Sequence, residues 1–132
     1  SVQASMKQLG MPLILWDVDT LDWKYRDAAS VKQHILDGAQ DGAIVLEHDL
    51  YETTVEGVLA AIDELQQQGY AFVTVSELAK IKGVTLEPGQ VYTGFTDEDL
   101  GLTAETDAAA NSESSESTDS TANTQASDST SN

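Results

Sequence analysis

No cysteine occurs among the 132 residues. That absence excludes disulfides, thiolate zinc sites and a cysteine nucleophile. Cations are scarce: six Lys and Arg stand against 23 Asp and Glu, for a formal net charge of −17. Such a chain offers no basic surface to neutralise the phosphates of nucleic acid. An anionic membrane surface is an unfavourable partner for the same reason. No apolar run approaches the roughly 18 residues of a membrane helix. The first residues, Ser1-Val2-Gln3-Ala4-Ser5-Met6, do not form a signal peptide and read as the inside of a helix.

What is present divides unevenly. Residues 96–132 contain no Lys or Arg and nine acidic side chains, and the remainder is mainly Ser, Thr, Asn and Ala. A segment of that composition buries too little apolar surface to offset its ordering entropy, so disorder is expected. Such a tail reads as a solubilising linker or a surface spacer. The first 95 residues hold 14 acidic and six basic side chains and carry whatever folds.

Within them, residues 1–9 read as a helix stopped by Gly10, with Pro12 beyond. Leu13-Ile14-Leu15-Trp16 is a continuous apolar run, the pattern of a strand buried on both faces. A polar loop over 17–27 leads to a helix over about 28–38. Ala43-Ile44-Val45-Leu46 forms a second buried strand. Thr53-Thr54-Val55-Glu56 fits a capping box for a helix with Val55, Val58, Leu59, Ile62 and Leu65 on one face, ended by Gly69. Ala71-Phe72-Val73-Thr74-Val75 reads as a third strand, and Ser76 as the cap of a short helix over about 77–82. The alternation demands parallel strands with helical crossovers. Three strands make a thin sheet, so these units are expected to be the last of a larger α/β domain.

Chemistry collects where strands end, as it does in parallel α/β folds. After the first run stand Asp17, Asp19 and Asp22, framed by Trp16 and Trp23. After the second stands His48. Adjacent parallel strands would bring Asp22 and His48 to one edge. A carboxylate beside an imidazole fixes its tautomer and favours the imidazolium, which prepares a general acid. His34 lies inside a helix and reads as a surface residue. No His-x-x-x-His or His-Glu-x-x-His pair supports a metal site in this chain, and no Ser sits on a nucleophile elbow. Leu13 to Leu21 resembles the first motif of haloacid dehalogenase-like phosphatases, with Asp17 as nucleophile and Asp19 as acid. The Gly expected before Thr20 is missing, and Lys80 and Lys82 lack an acidic partner pair.

Asp19-Thr20-Leu21-Asp22-Trp23 followed by Val45-Leu46-Glu47-His48-Asp49 resembles the last two motifs of the polysaccharide deacetylases. This is carbohydrate esterase family 4, the NodB-homology domain, here closest in flavour to bacterial peptidoglycan N-acetylglucosamine deacetylases. The stretch from Gly69 to Leu78 is similar to that family's end. The resemblance covers residues 1–95. It implies the last three β/α units of a distorted (β/α) barrel. It also implies metal-dependent removal of acetyl groups from sugars. His48 is then the acid, Asp22 the carboxylate that orients it, and Trp23 and Leu46 the lining of the acetyl-methyl pocket.

The family's Thr-Phe-Asp-Asp, His-x-x-x-His and Arg-x-Pro motifs are absent from this sequence. The resemblance therefore places the base and the ligands of a divalent metal, zinc above all, upstream of residue 1. The expectation is the C-terminal part of a deacetylase. It is inactive alone and completed by the N-terminal part of the same domain. It works on a cell-wall or chitin-like polysaccharide outside a bacterial cell. The competing reading is a non-catalytic carbohydrate-binding or scaffold remnant.

Overall fold

The computed structural model describes residues 1–102. The elements run α1 (Val2–Gln8), β1 (Leu13–Ile14), β2 (Val18–Asp19), α2 (Asp22–Tyr25), α3 (Ala28–Gly38), β3 (Val45–Leu46), α4 (Glu52–Gln67), α5 (Val75–Ile81) and β4 (Val91–Tyr92). All strand pairs are parallel: β1 with β4 in the register Leu13↔Val91, and β2 with β3 in the register Val18↔Val45. The expected α/β class with parallel strands is present as two two-stranded sheets.

The core lies between α3 and α4. Val31 and Ile35 of α3 pack on Ala61 and Leu65 of α4, with Val45, Val58 and Tyr70 around them. Helix spacing puts each pair on one face. The two helices touch closely because Gly57 has no side chain: a Cβ there would lie 2.6 Å from the Ala28 carbonyl. This packing anchors the crossover that carries the chain from β2 to β3 and so fixes how their ends meet.

Several expectations are corrected. The run Leu13–Trp16 is not one strand buried on both faces. It ends at Ile14, and Ile14, Leu15 and Trp16 are each more than a third exposed. The chain leaves β1 to pair a second time, with the Val18 N–H donating to the Ile44 carbonyl at 3.1 Å. The third strand, Ala71–Val75, is not formed. Ala71–Val73 are exposed and belong to no strand, and a trough of about 830 Å³ separates Phe72 and Val73 from Val45. A strand needs a neighbour for its backbone groups, and none of the described residues supplies it.

The capping box also falls elsewhere. α4 starts at Glu52 with Tyr51 at the cap position and no side-chain cap, so Thr53, expected as the cap, lies inside the helix. A capping box instead opens α5, with Thr74 rather than Ser76 as the cap and Glu77 reciprocating. Finally, the sequence pattern did not mark β4. The segment that follows it is pinned by Phe95, fully buried, whose N–H donates to the Gly42 carbonyl at 2.8 Å. Ordered structure runs past residue 95: Asp99 accepts from the Thr96 N–H and hydroxyl at 3.0 and 2.7 Å. The expected disorder of the acidic tail concerns, from residue 103 on, positions outside the described residues.

Candidate active site

The parallel register of β2 and β3 carries the chain out of both strands at the same end, with Asp19 opposite Leu46. Beyond Asp19 the backbone turns sharply. The Leu21 N–H donates to Asp19 Oδ1 at 3.0 Å, and Leu21 itself sits at φ 51°, a conformation costly for a branched side chain and held only by its surroundings. The turn delivers Asp22 as the first residue of α2. Thr20 ties this turn to the other strand, its hydroxyl donating to the Leu46 carbonyl at 2.8 Å.

Asp22 is fully buried, and both carboxylate oxygens are occupied. Oδ1 accepts from the Trp23 N–H at 2.8 Å and from His48 Nδ1 at 2.9 Å. Oδ2 accepts from the His48 N–H at 2.8 Å and from the Thr54 hydroxyl at 3.1 Å. Burial alone would raise the Asp22 carboxyl. The His48 side chain, then the backbone N–H groups of His48 and Trp23 and the Thr54 hydroxyl, outweigh it and hold the group below the usual carboxylate range. Asp22 is thus an anion that grips His48 at two points.

The imidazole is held by Nδ1, which must carry a proton to donate to a carboxylate. Nε2 is left as the exchangeable nitrogen, on a side chain 41% exposed. A buried, fixed anion behind a half-exposed imidazole is the arrangement of a proton donor kept in one tautomer. Beside it an open groove of about 600 Å³ is lined by His48, Thr54, Leu50 and Val55 among others. Desolvation along this groove, then the charge of Asp22, push the Glu47 carboxyl up.

The remaining expected residues are placed less centrally. Trp23 follows Asp22 on α2 with 53% of its surface exposed. Leu46, half-buried at the end of β3, does not line the groove beside His48. His34 is not a free surface residue: Nδ1 donates to the Ser30 carbonyl at 2.7 Å and the ring stacks on Tyr25. Asp17 accepts from the Ile44 N–H at 2.7 Å and faces Asp99 rather than a lysine, and Lys82 is bound to Asp41. Among the described residues no lysine is paired with Asp17, which leaves the phosphatase reading without support. Thr54 is the residue sequence reading missed. The sequence marks its neighbour Thr53 as the cap, and the Thr54 bond to Asp22 spans 32 positions, for which no local pattern exists.

Among the described residues no group of three or more His, Cys, Asp or Glu is placed to hold a metal ion. No helix among them is long and apolar enough to cross a membrane.

No family model matches the chain. Peptidoglycan-N-acetylglucosamine deacetylase PgdA of Listeria monocytogenes serotype 1/2a is 46% identical over 91 residues, 69% of this chain and 19% of that protein. A solved T48 deacetylase with substrate is 39% identical at a TM-score of 0.60, covering 67% of this chain and 44% of its own. A family 4 acetyl xylan esterase of Clostridium thermocellum, solved with a cobalt ion, is 28% identical at a TM-score of 0.59, over 64% of this chain and 44% of its own. The chain therefore spans about a fifth of the curated relative and under half of the solved ones. With an Asp-x-x-Asp-Trp and a Leu-x-His stretch on neighbouring parallel strands and these relatives, the chain belongs to the polysaccharide deacetylases of carbohydrate esterase family 4.

Proposed function

We propose that the chain is the C-terminal part of a polysaccharide N-deacetylase that hydrolyses the acetamide of N-acetylglucosamine units in peptidoglycan or a chitin-like glycan, with His48 as general acid. The observation that supports this most is the two-point clasp of Asp22 on His48. After water adds to the acetamide carbon, the C–N bond must break, and an amine leaves readily only when its nitrogen gains a proton. His48 gives that proton from Nε2 while Nδ1–H stays on Asp22. Asp22 keeps the ring in this tautomer and orientation. In this reading Trp23 and Leu46 border the acetyl methyl. The exposed Trp23 face is covered by substrate or by the rest of the domain.

The residues present do not fit a catalytic zinc. Such a site needs three protein ligands, and the described residues assemble no such set. Nδ1 of His48 is already committed. We assign the divalent metal and the catalytic base to the upstream part of the same domain. The solved relative with cobalt is consistent with a metal in the complete domain. Taken alone, the chain is expected to bind no catalytic zinc and to deacetylate nothing. The relatives' names also favour work outside a bacterial cell, on its wall.

The test uses a version extended to the full length of the domain. His48→Ala should lower kcat by about 10²–10⁴-fold, the usual loss for a positioned general acid, with KM little changed. Lys80→Ala serves as control. His34, stacked on Tyr25, is not suited to that use. Unchanged kcat in His48→Ala would contradict the assignment.

A further inference from the structure

Asp22 and His48 both stand on short supports. Asp22 opens α2, a single turn of four residues. That turn is bracketed by Leu21 at φ 51° and Arg26 at φ 48°. Side chains other than glycine adopt this conformation at a cost, and it lasts only where the surroundings impose it. One helical turn is not stable by itself either. His48 lies just past the end of β3, itself two residues long. The geometry of the pair therefore has to be imposed from elsewhere in the fold.

The donors to Asp22 are unequal in this respect. The Trp23 N–H belongs to the same turn, and the His48 N–H and Nδ1 belong to the residue being positioned. Only the Thr54 hydroxyl, 3.1 Å from Oδ2, comes from a third element. That element is α4, at 16 residues the longest among the described residues. Its buried positions are Thr54, Gly57, Ala61 and Leu65, one stripe at helical spacing. Ala61 and Leu65 pack on Val31 and Ile35 of α3. Gly57 lets α4 close on the start of α3, where an added Cβ would lie 2.8 Å from that of Val31. Thr54 is the polar end of the same stripe and falls against Asp22. The packing that makes the core thus also sets where this hydroxyl sits. A threonine in a helix can spend its proton on a carbonyl one turn back. Here the hydroxyl, fully buried, spends it on the carboxylate.

We infer that Thr54 is a positioning residue for the deacetylation: it anchors the Asp22 carboxylate to the α3–α4 core and so holds the His48 ring with its proton on Nδ1 and Nε2 free for the substrate. The inference rests on the deacetylase reading and adds a residue to its machinery. Rotation of an aspartate carboxylate about Cβ–Cγ has only broad preferences of its own, so its plane is set by the donors around it. Without the Thr54 hydroxyl, Oδ2 keeps only the His48 N–H, and nothing outside the pair and its own turn fixes that plane. The ring then samples further orientations, and its neutral form admits the Nε2–H tautomer. Thr54 itself gives no proton to the substrate.

Two readouts test this. In the 132-residue chain, long-range ¹H–¹⁵N correlation of the neutral His48 ring should show the Nδ1–H tautomer in the parent and a measurable share of Nε2–H in Thr54→Val. In the domain extended to full length, Thr54→Val should lower kcat about ten- to a hundredfold, the scale of a misplaced catalytic group, with KM little changed. Thr54→Ser keeps the hydroxyl and should restore both readouts. Thr53→Val, one position earlier on α4, should change neither. If Thr54→Val does not fold, Thr54→Ala carries the same expectations. A variant without the hydroxyl that loses stability yet keeps the parent's tautomer and kcat makes the bond merely structural and overturns the inference. So does a rise in KM at unchanged kcat, or a loss that Thr54→Ser does not restore. Failure of the deacetylase reading shows separately, as unchanged kcat in His48→Ala.

Discussion

Two aspartates close the first two strands of this chain, and their surroundings drive them in opposite directions. Asp22 is buried, yet four donors from three elements meet its two oxygens, and it is held ionised. Asp17 sits five residues earlier. It has one strong donor, the Ile44 N–H, and shares Gly94 with a second carboxylate. A Cβ at Gly94 would lie 2.5 Å from an oxygen of each of Asp17 and Asp99. Burial first, and the charge of Asp99 after it, raise the Asp17 carboxyl in spite of that donor. Standing at a strand end does not make a carboxylate useful. What separates the two is the number of donors brought to the group and the sign of its neighbour.

The comparison breaks most visibly under truncation. Asp22→Ala leaves the His48 and Trp23 N–H groups and the Thr54 hydroxyl without their acceptor. It should cost about 3 kcal/mol by urea unfolding, in the range for removing one partner of a buried polar network. Asp17→Ala removes one hydrogen bond together with a repulsion and should stay within about 0.5 kcal/mol of the parent. Equal losses at the two positions would erase the distinction. Thr54→Val comes next: it keeps the shape and removes one donor to a charged acceptor, for an expected cost of about 1.5 kcal/mol.

Smaller effects appear with pH, and their signs differ. The folded Asp22 carboxyl lies below its unfolded value, so on acidification the unfolded chain takes up the proton first. The stability Asp22 contributes is complete above the ordinary carboxylate range and is lost as pH falls through the lowered folded value. For Asp17 the folded value is raised. Its contribution is present below the ordinary range and is lost as pH rises through the raised value, weakened by solvent because the group is partly exposed. Unfolding measured against pH should therefore show a flatter acid limb in Asp22→Asn and a slightly higher stability at neutral pH in Asp17→Asn. The same slope in both variants would contradict the assigned signs.

Much of this was legible in the sequence, and the limits are physical. The helices over 28–38 and after residue 51 follow from apolar periodicity, which their mutual packing uses directly. Asp22 and His48 were marked by two apolar runs, each ending in polar residues, although the strand aligned with β3 is Val18–Asp19, beyond the first run. The strand at 71–75 failed for a different reason. Ala71-Phe72-Val73 has strand-forming composition, but pairing depends on a neighbour that local sequence does not contain. β4 was missed in the opposite sense: two residues at Val91–Tyr92 are too short to show alternation, and they are set by Phe95 and the Gly42 carbonyl. Thr54 illustrates the third limit. Its hydroxyl donates to a carboxylate 32 positions away, a partner that only the fold brings into range.

The central claim is that Asp22 fixes His48 with the proton on Nδ1, leaving Nε2 as the nitrogen that gives and takes a proton. It can be read in the chain without catalysis, by long-range ¹H–¹⁵N correlation of the His48 ring at a pH where the imidazole is neutral. An Nδ1-protonated ring is expected in the parent. Asp22→Asn should shift the proton toward Nε2, because an amide N–H turned to the ring needs an acceptor there. A neutral His48 that already carries its proton on Nε2 in the parent, or one unaffected by Asp22→Asn, would contradict it.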